Sequence, residues 1–262
     1  MMDYLSAILL GLVQGLTEFL PVSSSGHLVL SQHLLGFQGP QLAFDLLMHL
    51  GTLLAVVIYF RQDIGQIVGS ALKGSGEVEG RRWIFMLVIA TIPTALIGFV
   101  FRDQFKMLFG MPRVVASMLW VTAILLFLSD RIRLKEKNTE TRLTVPRSLL
   151  VGVAQGLAII PGISRSGSTI AAGIFSGLNP DKAARFSFLL SIPAIFGASL
   201  LELGEISGIA AHDVLPYLAG ALTAFVSGYL AIDVLLKMVI KRKLWKFSVY
   251  LFLAGLVGFV LT

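Results

Sequence analysis

QGLTEFLPVSSSGH, residues 14–27, and PGISRSGST, residues 161–169, are two polar stretches set inside apolar surroundings. Proline and glycine in each end a helix, and the serines that follow are suited to cap the next one. The flanking arms, within 3–36 and 147–179, are apolar. The pattern predicts two re-entrant helical hairpins, each a helix in, a turn at depth and a helix back out. Irregular backbone of this kind survives in hydrocarbon only where protein or a wet cavity covers it.

The rest of the chain fits that environment. Of 262 residues 56% are hydrophobic and 14% charged, against roughly 25% charged in an average soluble domain. Six segments, near 41–61, 82–101, 112–130, 182–201, 213–236 and 246–261, are long and apolar enough to cross a bilayer. The expected fold is an all-α polytopic membrane protein of six transmembrane helices plus the two hairpins. The absence of cysteine excludes disulfide and thiol chemistry. The N-terminus lacks a basic region followed by a cleavage site, so no cleaved signal peptide is expected. The net charge of +6 does not point to nucleic acid, because the basic residues flank apolar spans and read as topology signals.

The two polar stretches are related. Gly11 to Leu16 (GLVQGL) matches Gly152 to Leu157 (GVAQGL), and Ser23 to Gly26 (SSSG) matches Ser164 to Gly167 (SRSG), both at an offset of 141. Two repeats of about 1–130 and 147–262, joined by a basic loop 131–146, form one membrane domain. Each repeat is one hairpin plus three spans, and an odd number of spans inverts the second repeat relative to the first. Broken helices in inverted repeats are a transporter-like architecture. Threading this arrangement puts every lysine and arginine on one side except Arg102, Lys106, Arg113 and Arg165. That side is then cytoplasmic. Both termini face out, the first hairpin enters from outside and the second from inside.

Ionisable groups at membrane depth cost about 2.5–3.5 kcal/mol each on insertion scales and mark function. They are Glu18, His27, Asp45, His49, Arg165 and Asp233. Asp45 and Asp233 lie near span ends and read as interfacial or paired; His49 is open between cavity lining and packing. If the two turns meet, Arg165 comes near Glu18 and His27. A guanidinium, two helix N-termini and several hydroxyls describe a site for a phosphate-like anion. A carboxylate there points to a divalent cation between Glu18 and phosphate, or to acid–base work. Gln14, one helical turn before Glu18, adds an oxygen. The blander readings are serines and glycines as packing residues and Glu18–Arg165 as a structural ion pair.

At these residues the chain resembles the undecaprenyl-diphosphate phosphatases of the bacitracin-resistance type. Gln14 to His27 is similar to that family's (E/Q)xxxE motif with its serine–histidine continuation, and Pro161 to Thr169 to its PGxSRSxxT motif. Gln14 occupies the position where the family varies between Glu and Gln. The resemblance implies hydrolysis of the lipid carrier undecaprenyl diphosphate to the monophosphate and inorganic phosphate. It also implies a divalent metal, Mg²⁺ or Ca²⁺, a plasma-membrane location with the site toward the extracytoplasmic side, and bacitracin resistance. On this reading Arg165, Ser164, Ser166, Thr169 and the first-turn serines Ser23 and Ser25 hold the diphosphate. Glu18 with Gln14 holds the metal, Ser24 is the nucleophile and His27 the nearby acid or base. Direct attack by water activated at Glu18 or His27 is the competing route. A lipid-carrier flippase, with or without phosphatase activity, is the competing function. The reading leaves a homo-oligomer open.

Overall fold

A computed structural model describes residues 2–37, 41–72, 78–132, 142–206 and 209–262. All regular structure among them is helical: α1 (Tyr4–Phe19), α2 (Ser24–Leu34), α3 (Leu42–Tyr59), α4 (Arg61–Leu72), α5 (Val78–Val100), α6 (Arg102–Phe109), α7 (Pro112–Arg131), α8 (Val145–Leu157), α9 (Arg165–Phe175), α10 (Pro180–Leu201), α11 (Leu203–Ile206), α12 (Val214–Ile240) and α13 (Trp245–Leu261). Most of the basic connection expected over 131–146, including Arg133, Lys135 and Lys137, lies outside the described residues.

Five helices, α3, α5, α7, α10 and α12, are long and apolar enough to cross a membrane. They coincide with five of the six expected spans. The sixth, α13, has 17 residues, about 25 Å of rise, and is a shorter apolar helix like α1. It nevertheless leaves Phe252, Leu253 and Val260 more than half exposed, a surface that only lipid or another apolar partner covers without cost. The chain is therefore a multi-pass membrane protein. Helices α4, α6 and α11 occupy stretches expected to be loops. Of these, α4 buries no residue and α6 buries only Phe105, so both are surface helices.

Both polar stretches fold as helix–turn–helix. Asp3 caps α1 by accepting from the Ser6 amide at 2.9 Å. The helix ends at Leu20, extended because Pro21 follows it. Ser23 then caps α2, its Oγ accepting from the Gly26 amide. In the second stretch Ser164 caps α9 in the same way, accepting from the Gly167 amide at 3.1 Å. The two caps keep the sequence offset of 141, so the same local chemistry makes both turns. Ser23 does this at φ 69°, a left-handed conformation that a non-glycine residue holds only when its surroundings impose it.

Glycine sets how the first arm of each hairpin packs. Helix α1 lies along α12, where a Cβ on Gly15 would fall 2.5 Å from the Ala224 carbonyl oxygen. Helix α8 lies along α5, where a Cβ on Gly156 would fall 2.6 Å from Ile97 Cδ1. Small residues four apart let helix backbones come this close. Helix α3 packs between α12 and α10, and α7 packs on α13. Phe19, Phe60, Phe186 and Phe188 are buried in the largest core cluster. Phe19 meets Phe188 edge-on at 5.7 Å, which fixes the end of α1 just after Glu18.

Candidate active site

The two turns touch. Ser166 Oγ donates to the Leu20 carbonyl at 3.1 Å. A Cβ on Gly167 would stand 3.3 Å from Pro21 Cβ, and one on Gly26 would stand 3.1 Å from Gly162 Cα. Helix α7 braces the second turn through Thr122, whose Oγ1 accepts from the Ser164 amide at 2.9 Å and donates to the Gly162 carbonyl at 3.3 Å.

Glu18 sits where the turns meet. Its side chain is 5% exposed. Oε1 accepts from Arg165 Nη2 at 2.6 Å. Oε2 accepts from Ser24 Oγ at 2.5 Å and from Gln14 Nε2 at 3.0 Å. His49 Nε2 stands 3.7 Å from the same oxygen. One carboxylate thus gathers residues from α1, α2, α3 and α9. A buried ion pair is favourable only when further hydrogen bonds satisfy its atoms. Here the carboxylate is satisfied, but Arg165 Nη1 is buried with no protein partner, as is Gln14 Oε1.

The other expected site residues are spent differently. Ser23 Oγ caps α2 and lies 3.4 Å from Ser25 Oγ. Ser164 Oγ caps α9 and lies 3.2 Å from Ser166 Oγ. Thr169 Oγ1 bonds back to the Arg165 carbonyl at 2.8 Å and pairs with Ser187 Oγ at 2.6 Å. These hydroxyls, all but Ser25 buried, hold the turns and tie α9 to α10. Both ring nitrogens of His27 are engaged by partners other than Glu18. Its Nδ1 is 2.8 Å from the Ser23 carbonyl, and its Nε2 is 2.7 Å from Tyr250 Oη on α13. The rings stack with an 11° interplanar angle. A carbonyl only accepts, so Nδ1 carries the ring proton and Nε2 takes the Tyr250 hydroxyl.

His49 and Tyr250 are the residues that the sequence did not place. His49 was legible as an ionisable group at depth, but its face on α3 was not. Nothing about Tyr250, 223 residues from His27, signalled the contact.

A divalent cation would find two protein side chains offering oxygen here, the Glu18 carboxylate and Gln14 through its orphaned Oε1. Among the described residues no group of three or more His, Cys, Asp or Glu side chains forms a metal cluster. One carboxylate and one amide fit a cation that takes its remaining ligands from substrate phosphates and water, as Mg²⁺ commonly does.

The chain is thus a multi-pass helical membrane protein in which a guanidinium, a carboxylate and a serine hydroxyl meet where two helix–turn–helix units touch. The chain belongs to the BacA family: the family model described as "Bacitracin resistance protein BacA" matches residues 7–257. A protein of Syntrophotalea carbinolica is 47% identical over 256 residues, covering 97% of each chain. One of Methanobrevibacter smithii is 44% identical over 272 residues, covering 99% of this chain and 98% of its own. One of Halothermothrix orenii is 43% identical over 263 residues, with the same coverage. All three are named undecaprenyl-diphosphatase.

Proposed function

We propose that this chain hydrolyses undecaprenyl diphosphate to undecaprenyl phosphate and inorganic phosphate, as the names of its relatives describe. The carrying observation is the Ser24 hydroxyl at 2.5 Å from Glu18, itself paired with Arg165 at 2.6 Å. That is a nucleophile beside a base, with a cation at hand for the phosphoryl group. The recycled lipid carrier and bacitracin resistance follow from this activity and from family membership.

Arg165 Nη1, buried without a protein partner, donates to a terminal phosphate oxygen, with the N-terminus of α9 beside it. Glu18 Oε2 takes the Ser24 proton while Oγ forms a bond to the terminal phosphorus. The bridging P–O bond breaks, Glu18 passes the proton to the departing oxygen, and undecaprenyl phosphate leaves. The resulting phosphoserine is then hydrolysed. Glu18 and Gln14 Oε1 are the residues that would hold a divalent metal, Mg²⁺ or Ca²⁺. When bound it supplies charge neutralisation on the diphosphate. Ser23, Ser25, Ser164, Ser166 and Thr169 shape the two turns around the phosphates. His27, held by Tyr250, flanks the nucleophile from the first turn of α2.

In the bilayer the five long helices and α13 form the six spans, and the α1–α2 and α8–α9 pairs form re-entrant hairpins of opposite entry. Two observations support an inverted repeat of about 1–130 and 147–262. The helix caps recur at one offset. The pairing is also exchanged: the first arm of each hairpin packs on the other repeat's helix, α1 on α12 and α8 on α5. The basic-residue partition supports a plasma-membrane orientation with the site toward the extracytoplasmic side.

Purified protein given undecaprenyl diphosphate and Mg²⁺ in detergent is expected to release one inorganic phosphate per undecaprenyl phosphate formed. Lipid movement across vesicles with no phosphate release would overturn this in favour of a flippase.

A further inference from the structure

We infer that His49 and Glu18 together hold the water that hydrolyses the phosphorylated Ser24, which makes His49 a further residue of the reaction site. The inference rests on the covalent route proposed above.

The ring of His49 is fixed in place. Nδ1 lies 2.7 Å from the Asp45 carbonyl, so Nδ1 donates there, and in the neutral ring Nε2 presents the lone pair. The backbone on both sides is held as well. Thr52 Oγ1 donates to the His49 carbonyl at 3.0 Å. Gln32 Nε2 on α2 donates to Asp45 Oδ1 at 2.7 Å, tying this turn of α3 to the helix that carries Ser24.

Nε2 stands 3.7 Å from Glu18 Oε2, in the neutral ring one acceptor beside another. Two acceptors cannot bond one another. A water molecule with one O–H directed to each acceptor spans such a gap with two bonds of about 2.8 Å. Its lone pairs then point away from both. The His49 side chain is 31% exposed and that of Glu18 5%, so His49 is the more open of the two.

Glu18 Oε2 also accepts from Ser24 Oγ. Once Ser24 is phosphorylated that O–H no longer exists, and Oε2 is released to take a proton from the water instead. The water oxygen forms a bond to phosphorus and the P–Oγ bond breaks. The water proton passes through Glu18 to Ser24 Oγ, and inorganic phosphate leaves. Glu18 therefore moves the proton in both halves of the reaction, and His49 aims the second nucleophile.

The test is rapid-quench turnover of His49→Ala on radiolabelled undecaprenyl diphosphate. The expected result is a burst of about one equivalent of undecaprenyl phosphate per enzyme, with label accumulating on Ser24. Steady-state phosphate release falls roughly 100-fold, the loss that follows when a reacting group is no longer positioned. His49→Gln, whose amide oxygen still accepts from water, recovers part of that release and serves as the test should the alanine variant not fold. Phosphate release at the wild-type rate from both variants overturns the inference. So does an equal slowing of both products with no labelled serine. Wild-type protein that shows no turnover at all sinks the parent reading, and is recognised before any substitution is made.

Discussion

Arg165→Lys lowers phosphate release by about a thousandfold or more, although it keeps the charge. The guanidinium does two things at once: Nη2 holds Glu18 at 2.6 Å, and Nη1 remains buried and unpartnered. A lysine ammonium is a compact point charge on a flexible stem and cannot place two donors in a fixed fork. Arginines that neutralise a transferring phosphoryl group contribute about 10³–10⁵ in rate elsewhere. Arg165→Met has a second consequence. It leaves Glu18 buried without its partner, which costs about 3–5 kcal/mol of stability. The Arg165→Met/Glu18→Gln double variant removes both charges. It regains most of the thermal stability in detergent and none of the activity. Melting temperature and phosphate assay, measured on the same preparations, separate the two effects. Activity of Arg165→Lys within tenfold of the native protein would remove Arg165 from the chemistry and leave it a structural ion-pair partner.

Ser24→Ala lowers turnover by roughly four orders of magnitude, as loss of a covalent nucleophile does, with little effect on folding. Its Oγ makes one hydrogen bond, to a carboxylate that keeps Arg165 and Gln14. Rapid quench of the native protein traps a phosphoserine, and mass spectrometry places it at residue 24 rather than at Ser23 or Ser25. Those neighbours differ physically: Ser23 is committed to capping α2, and Ser25 lies beside Ser23 rather than Glu18. Full activity of Ser24→Ala with no phosphoserine would replace the covalent route by direct attack of water.

Much of this was readable from residue order. Apolar runs of about twenty residues placed five long helices, and Pro21 and Pro161 with their following serines placed both turns. The pairing of Glu18 with Arg165 followed from bringing the turns together. Other features depend on which face of a helix packs, which periodicity in a membrane protein barely marks because lipid and core are both apolar. His27 illustrates this: one helical face separates a histidine aimed at Glu18 from one stacked on Tyr250. His49 is the converse, an ambiguous histidine that packing carries to the site. The family resemblance implied Ser164, Ser166 and Thr169 as phosphate ligands. Buried hydroxyls must be satisfied, and here capping and inter-helix bonds satisfy Ser164, Ser166 and Thr169 within the protein. The surface helices α4 and α6 were missed because short segments with mixed charge resemble loops when tertiary context is ignored.

The claim on which the rest depends is that the two turns meet and build one site. The chain has no cysteine, so a pair introduced at Pro21→Cys and Gly167→Cys has only itself to react with. A Cβ at 167 would stand 3.3 Å from that of residue 21, and disulfides span Cβ separations of about 3.5–4.5 Å, so a small adjustment admits the bond. Mild oxidation of the membrane-embedded double variant, followed by proteolysis and mass spectrometry, is predicted to yield a linked peptide pair from the two turns within one chain. Two thiols that stay free and open to alkylation under the same oxidant, in protein that remains folded, would contradict the account.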